Sequence, residues 1–408
     1  MNPEPTRAMT NRRSHHTGSN DNLVALHDAS RRSRHDPAVV VHAVGARPNF
    51  VKMAPLIDAL RRRDCGRQVV VHTGQHYDRR MSEEILEDLA FPVPDHSLGV
   101  GSGSHGEQTG KVLIAFERIL IEHRPAVVVV AGDVNSTLAC ALAAAKLRIP
   151  VVHLESGLRS GDWTMPEEVN RVLTDRLSDL LLTHSPEAEG NLAREGVDIS
   201  RVRYVGNTMI DSLRRFEAPA RARATWRRHG MEERHFALVT LHRPSNVDEP
   251  ARLGRIVDAL CALADQAPIV FPVHPRTRAR LAAAGELERL EAAGVLCTEP
   301  VGYLDFLSLQ SAAGTIVTDS GGVQEEASAF GVPCYTLRAN TERPVTITRG
   351  TNVLLGDDPE SLRGVRLSSR PPTPCVIPYW DGRAADRAAE AMLTAFPAIA
   401  PADFAVIA

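Results

Sequence analysis

The stretch "TIVTDSGGVQEEASAFGVPCYTLR", residues 315–338, decides how the chain is read. Thr315-Ile316-Val317 reads as the end of a buried strand, and "VQEEASAF" as a helix stopped by Gly331 and Pro333. A second β-rich run, "PCYTLR", follows, so the unit is strand, helix, strand. Glycines at a strand-to-helix turn let backbone N–H groups approach an anion, and a helix start favours negative charge. Ser320, Gly321 and Gly322 therefore suit a diphosphate, and a carboxylate one turn further in could accept bonds from ribose hydroxyls. The other reading is a tight turn with Glu325 and Glu326 on a solvated helix face.

The same grammar runs through the chain. Before residue 207 it gives "AVVVHAVG", "QVVVHTG", "AVVVVAGD", "PVVHLES", "LLLTHS" and "RVRYVGN". After it come "FALVTLHR", "PIVFPVHP", "GVLCTEP", "TIVTDSG", "PCYTLR" and "NVLLG". Continuous apolar runs separated by helical patterns argue parallel sheets built from βαβ units. Six strands and then six more predict an α/β protein of two Rossmann-like, doubly wound domains. The break falls near Gly206, before "TMIDSLRRF". Ligands of such sheets sit beyond the C-terminal strand ends. The unusual residues stand there: Arg47, Gln75, Asp133, Glu155, His242, His274 and Ser320.

Composition narrows the field. The 408 residues suit two domains, and a formal net charge of −3 offers no basic field for nucleic acid. The six cysteines are scattered without a CxxC, as in a reduced, cytoplasmic protein. No apolar run reaches the roughly 18 residues of a membrane span. Residues 1–36 carry six Arg and four acids with almost no apolar pattern, and are read as a disordered tail. Gly101-Ser-Gly-Ser-His-Gly106 matches a dinucleotide fingerprint but does not follow a strand, so it is read as a loop before the helix "EQTGKVLIAFERIL".

Several residue types fit acid/base and phosphate chemistry. "GARPNFVKMAPL" places Arg47 and Lys52 around a strand-to-helix turn, where they suit phosphate oxygens or are surface cations. Asp133 ends a buried run in "AGDVNSTLA", as an acid or as the cap of the next helix. Glu155 ends another run, where a carboxylate is costly unless paired or used. Arg159 follows, and Pro166 opens a helix on which Glu167, Asn170 and Arg171 share a face. Thr164 and Glu167 also have capping-box spacing. His242-Arg243 and His274 with Arg276 stand at neighbouring strand ends, and Glu342-Arg343 lie on a loop.

These motifs, in this order over residues 38–395, resemble the non-hydrolysing UDP-N-acetylglucosamine 2-epimerases: "GARPNFVKMAPL", "TGQHYD", "GDVNSTLA", "ESGLRSGD…MPEEVNR", "GNTMID", "PVHP", "TDSGGVQEE" and "TERP". The resemblance implies the glycosyltransferase-B fold, two domains facing a cleft. An N-terminal domain of 37–206 plus 378–400 would carry the acid/base residues, and 207–377 would bind UDP. It implies Asp133, Glu155, Glu167 and His242 as catalytic residues. Substrate binding would fall to Arg47, Lys52, Arg159, His274, Arg276, Ser320, Gly321, Gly322, Glu326 and Arg343. Gln75 and His76 match a segment that binds an activating second substrate in some members, although Asp78 departs from that pattern. Asn49 and Arg243-Pro244-Ser245 are further departures. No cofactor and no metal are expected. The expected partners are a UDP-sugar substrate and a second copy of the chain, with no nucleic acid and no membrane. The reaction implied is elimination of UDP across carbons 1 and 2, then re-addition with inverted configuration. A hydrolysing epimerase, an epimerase of a related sugar, a UDP-sugar glycosyltransferase and a non-catalytic sensor are the alternatives.

Overall fold

The computed structural model describes residues 37–74, 87–369, 373 and 375–401. Within them the strands are β1 (Val39–Val44), β2 (Arg67–His72), β3 (His96–Ser97), β4 (Val127–Ala131), β5 (Val151–Ser156), β6 (Leu180–Thr183) and β7 (Val202–Tyr204). The second set is β8 (Ala237–Thr240), β9 (Ile269–Pro272), β10 (Val295–Thr298), β11 (Thr315–Thr318), β12 (Cys334–Thr336) and β13 (Asn352–Leu354). They form two sheets of order β3-β2-β1-β4-β5-β6-β7 and β10-β9-β8-β11-β12-β13, and the pairings among these described strands are parallel. All twelve strands expected from sequence are present. β3 is the addition, two residues at the edge that pair with Val71 and His72. Its segment, "FPVPDHSL", has no apolar run to betray it.

The strands look as they do because both faces are covered. β1, β4 and β5 are buried at every position, and Val40, Val128 and Val152 expose nothing. Such strands carry no alternation, only apolar content. Helices Arg47–Arg61 and Ala384–Ala395 pack on one side of the first sheet, His105–His123 and Asn135–Lys146 on the other. The last helix returns from the far end of the chain. Asp211 accepts from the N–H groups of Ala384 and Ala385 at 3.1 and 2.7 Å, which anchors its N-terminus. Tyr204 donates to Pro378 O at 2.6 Å, and Gly206, at φ +92°, leaves room for the carbonyl of Tyr379. Any side chain at 206 would strike that carbonyl.

Each sheet reverses its strand order once. The reversal lies between β1 and β4 in the first, and between β8 and β11 in the second. At such a point the crossovers before and after leave in opposite directions, and a crevice opens beyond the strand ends. Arg47 and Asp133 follow β1 and β4, and His242 and Ser320 follow β8 and β11. The topology alone therefore brings four of the expected site residues to two crevices.

Candidate active site

Glu155 sits at the end of β5 with φ +69°, where the register with β6 slips. A non-glycine residue there is strained and needs surrounding contacts to hold it. Those contacts come from both sheets. Lys52, from the helix after β1, donates to one carboxylate oxygen, and Arg343 Nη2 to the other at 2.9 Å. Burial opposes ionisation of Glu155, but the two cations overcome it and hold its carboxyl below the ordinary value. Arg343 spans further, with Nε 3.0 Å from Glu325 and Nη1 3.3 Å from Glu342. Its guanidinium lies against Gly321, so a methyl group at 321 would collide with Nη1. This is where the glycine of the opening motif earns its place: the helix Gly321–Phe330 starts beside a buried cation, and no side chain caps it.

The two glutamates of that helix are not a solvated face. Both are buried, and they are held in opposite states. Burial disfavours the Glu325 anion, yet Arg343 and His184 hold the carboxyl down at about 2. His184 Nε2 is 2.9 Å from Glu325 Oε1. Glu326 turns away toward Gln310, which donates to it at 2.6 Å, and burial together with the Glu325 charge pushes its carboxyl up to about 7. Beside this cluster the hydroxyls of Ser156 and Ser185 and the Nδ1 of His184 are buried without hydrogen-bond partners. Glu155, His184 and Glu325 place ligand atoms within 4.8 Å of one another. The positive charge there is supplied by Lys52 and Arg343.

Asp133 does not cap a helix. The cap position is Val134, and the Asp133 carboxylate instead meets Arg171 Nη2 at 2.5 Å. Asn170 donates to the Asp133 carbonyl at 2.9 Å. Both come from the helix Pro166–Leu177, so the shared face seen in the sequence is a face turned on Asp133. Thr164 and Glu167 form no capping box: Thr164 hydrogen-bonds to Asp162, and the helix starts after Met165. Glu167 is exposed in the first turn, near enough to Arg243 to act on its charge. Its neighbour Glu168 is the buried one, accepting from the N–H groups of Ser160 and Gly161 and from Arg171.

In the second half His242 is half-buried, with Nδ1 3.2 Å from Asp319. Asp319 is wholly buried and also accepts from the N–H groups of His242 and Arg243 and from Asn246. Burial opposes its charge, but these bonds hold the carboxyl below its ordinary value. His274 is exposed, its ring 5.8 Å from that of His242. Arg47 donates to Val301 O across the cleft at 3.3 Å.

Two of the expected binding residues are engaged away from the buried cluster. Arg159 is committed to Glu195 through two bonds of 2.7 Å and to Asp175 at 2.8 Å, so its guanidinium has no free edge for substrate. Arg276 is exposed and paired with Asp248, apart from the buried cluster. Gln75 and His76 lie outside the described residues, as does the 1–36 tail. Asn49, a departure from the family pattern, holds the turn after β1: its Oδ1 accepts from Gly45 and Ala46, and its Nδ2 donates to Ala131 O. Three site residues escaped the sequence reading: Asp319, Glu325 and His184. Asp319 had a signal, an acid set directly behind a buried strand. His184 had none beyond its strand-end position.

Two doubly wound sheets, with acid groups at the strand ends of one and an uncapped glycine turn in the other, define a glycosyltransferase-B-like enzyme fold. The family model for UDP-N-acetylglucosamine 2-epimerase matches residues 58–393, and the chain belongs to that family. The UDP-N-acetylglucosamine 2-epimerase of Methanocaldococcus jannaschii is 43% identical over 84% of this chain and 96% of its own length. A solved structure of the M. jannaschii enzyme, in complex with UDP-GlcNAc and UDP, superposes with a TM-score of 0.80 at 40% identity, covering 86% of this chain and 98% of that one. The UDP-2,3-diacetamido-2,3-dideoxy-D-glucuronate 2-epimerase of Pseudomonas aeruginosa is also 43% identical, over 78% of this chain and 88% of its length.

Proposed function

We propose that the chain interconverts UDP-N-acetylglucosamine and UDP-N-acetylmannosamine, inverting carbon 2 by elimination and re-addition of UDP without net hydrolysis. One observation carries this reading: Arg343, packed on the glycine turn of the second half, bonds Glu155 of the first at 2.9 Å. The nucleotide end and the acid/base end are then one site. The diphosphate lies at the start of the helix Gly321–Phe330, and Glu326 takes the ribose hydroxyls. Lys52 and Arg343 turn from Glu155 to the diphosphate. Losing those cations raises the pKa of Glu155 and makes it a stronger base. A carboxylate removes the proton from carbon 2, and the C–H electron pair forms the double bond to carbon 1. The carbon 1–oxygen bond breaks with its electrons going to UDP, which the cations and the helix N-terminus stabilise. UDP re-adds to carbon 1 while an acid on the opposite face protonates carbon 2. Asp133, Glu155, Glu167 and His242 are the groups we assign to these transfers.

We further propose that 37–206 with 378–400 and 207–377 close as two domains about the crossings at Gly206 and Tyr379, and that the enzyme works as a cytoplasmic homodimer. The test is incubation with UDP-GlcNAc in deuterium oxide, followed by NMR. UDP-ManNAc carrying deuterium at carbon 2, with no free sugar, is the expected outcome. Free N-acetylmannosamine would identify a hydrolysing enzyme. The likeness to the P. aeruginosa enzyme supports a second reading, a UDP-2,3-diacetamido uronate as substrate. Turnover of that sugar alone would decide for it.

A further inference from the structure

Behind the cleft, buried charges run from the surface to the backs of both acid/base turns. Asp175, on the Pro166–Leu177 helix, is wholly buried, with Oδ1 2.6 Å from His153 Nδ1. Its Oδ2 accepts from Gly157 N at 3.1 Å and meets Arg159 Nη1 at 2.8 Å. His153, buried in β5, directs Nε2 at the carbonyl of Gly132, 2.8 Å away. Glu195 holds the outer end of Arg159. Gly132 immediately precedes Asp133, and Gly157 follows Glu155 by two residues. One carboxylate is thereby tied to the turn that carries each acid, directly to one and through an imidazole to the other.

The turn at Glu155 needs such a tie most, because the glycines beside it take positive φ freely and the glutamate does not. Gly132 and Gly157 have φ of +70° and +78°, and Glu155 between them in the sheet edge has φ +69°. Strained backbone persists only where contacts over-determine it. A buried carboxylate is itself costly, and apolar packing would join the helix to the sheet as firmly. What apolar packing would not supply is directional anchoring of two turns at once. Misplacing a reacting group by about 1 Å can cost on the order of 100-fold in rate.

We infer that Asp175, acting through His153 and the Gly157 amide, is a positioning residue that holds Asp133 and Glu155 in reacting geometry. This rests on the epimerase reading of the site. Neither Asp175 nor His153 touches the cleft. Asp175→Asn and His153→Leu are expected to lower kcat by roughly 10- to 100-fold, with KM and the Kd of UDP within about threefold of wild type. Acting through one chain, the double variant should be no slower than the slower single. Wild-type kcat in both variants, or a fall in kcat matched by equal losses in KM and UDP affinity, overturns the inference. If Asp175→Asn does not fold, His153→Gln decides: its amide can still donate to Gly132, so it must turn over faster than His153→Leu, and equal rates refute the tie. Absence of turnover in the wild type would refute the epimerase reading alone. A crystal structure of Asp175→Asn then judges the inference separately, through displacement of the Gly132 and Gly157 turns; unmoved turns refute it.

Discussion

Asp133 and Asp319 occupy matching places in the two halves. β4 lies beside β1 across the first switch point, β11 beside β8 across the second, and each strand runs straight toward an aspartate. Their fates differ. The side chain of Asp133 is 29% exposed and opens on the cleft, whereas that of Asp319 is wholly buried. The cause is one residue. Gly132 turns the chain at φ +70° before Asp133 is reached. Asp319 follows Thr318 directly and still bonds in the ladder, its N–H donating to Thr240 O at 3.3 Å. An acid still in the ladder points back into its own half and organises the neighbouring loop. An acid one turn beyond it is displayed. The first half therefore leaves its carboxylate partly exposed, and the second uses its own to hold a histidine.

The largest effect should separate the two acids kinetically. Asp133→Asn is expected to lower turnover by at least about 100-fold, the usual scale of a lost acid or base, while stability and the Kd of UDP hold. Near-normal turnover would place Asp133 with Asp319 as a structural acid. Asp319→Ala should do the reverse. It strips acceptors from His242, Arg243 and Asn246, and chemical denaturation should show a loss of about 3 kcal/mol. An unchanged denaturation midpoint would show that the loop holds itself.

Gly321→Ala probes the cradle. Its methyl group displaces the end of the Arg343 side chain, which can move, so folding should survive. Calorimetry should find UDP bound about tenfold more weakly, or about 1.4 kcal/mol. Unaltered affinity would mean that Arg343 does not serve the diphosphate.

Glu325 and Glu326 sharpen the comparison through pH. The folded-state pKa of Glu326, about 7, lies above its ordinary 4.5, so its contribution to stability is full below pH 4.5 and lost as pH rises through about 7. Glu325, near 2, contributes above pH 4.5 and loses that contribution as pH falls toward 2. Melting curves across pH 2–8 should show Glu326→Gln abolishing the loss between 4.5 and 7, and Glu325→Gln the loss on the acid side. Identical profiles for the two variants would contradict their opposite environments. The smallest effect belongs to Arg276→Gln, an exposed pair with Asp248, expected to change stability by less than about 1 kcal/mol and KM little. A severalfold rise in KM would return Arg276 to the site.

The sequence by itself determined the architecture. Doubly buried parallel strands must be apolar throughout, helices must separate them, and twelve such runs in two sets leave few arrangements. It also placed Asp133, Glu155, His242 and Ser320, because topology sends strand ends to the crevices whatever their side chains do. Only the tertiary structure decided where those side chains point and whom they meet. Arg159 looked like a cleft cation and is a strut for Asp175. The adjacent Glu325 and Glu326 looked alike, yet an arginine 18 residues beyond Glu325, Arg343, holds that carboxyl charged while burial pushes the carboxyl of Glu326 up to about 7. Strand periodicity is a local property and survives in the sequence. Charge pairing joins distant residues through space, and depends on turns as small as a single glycine.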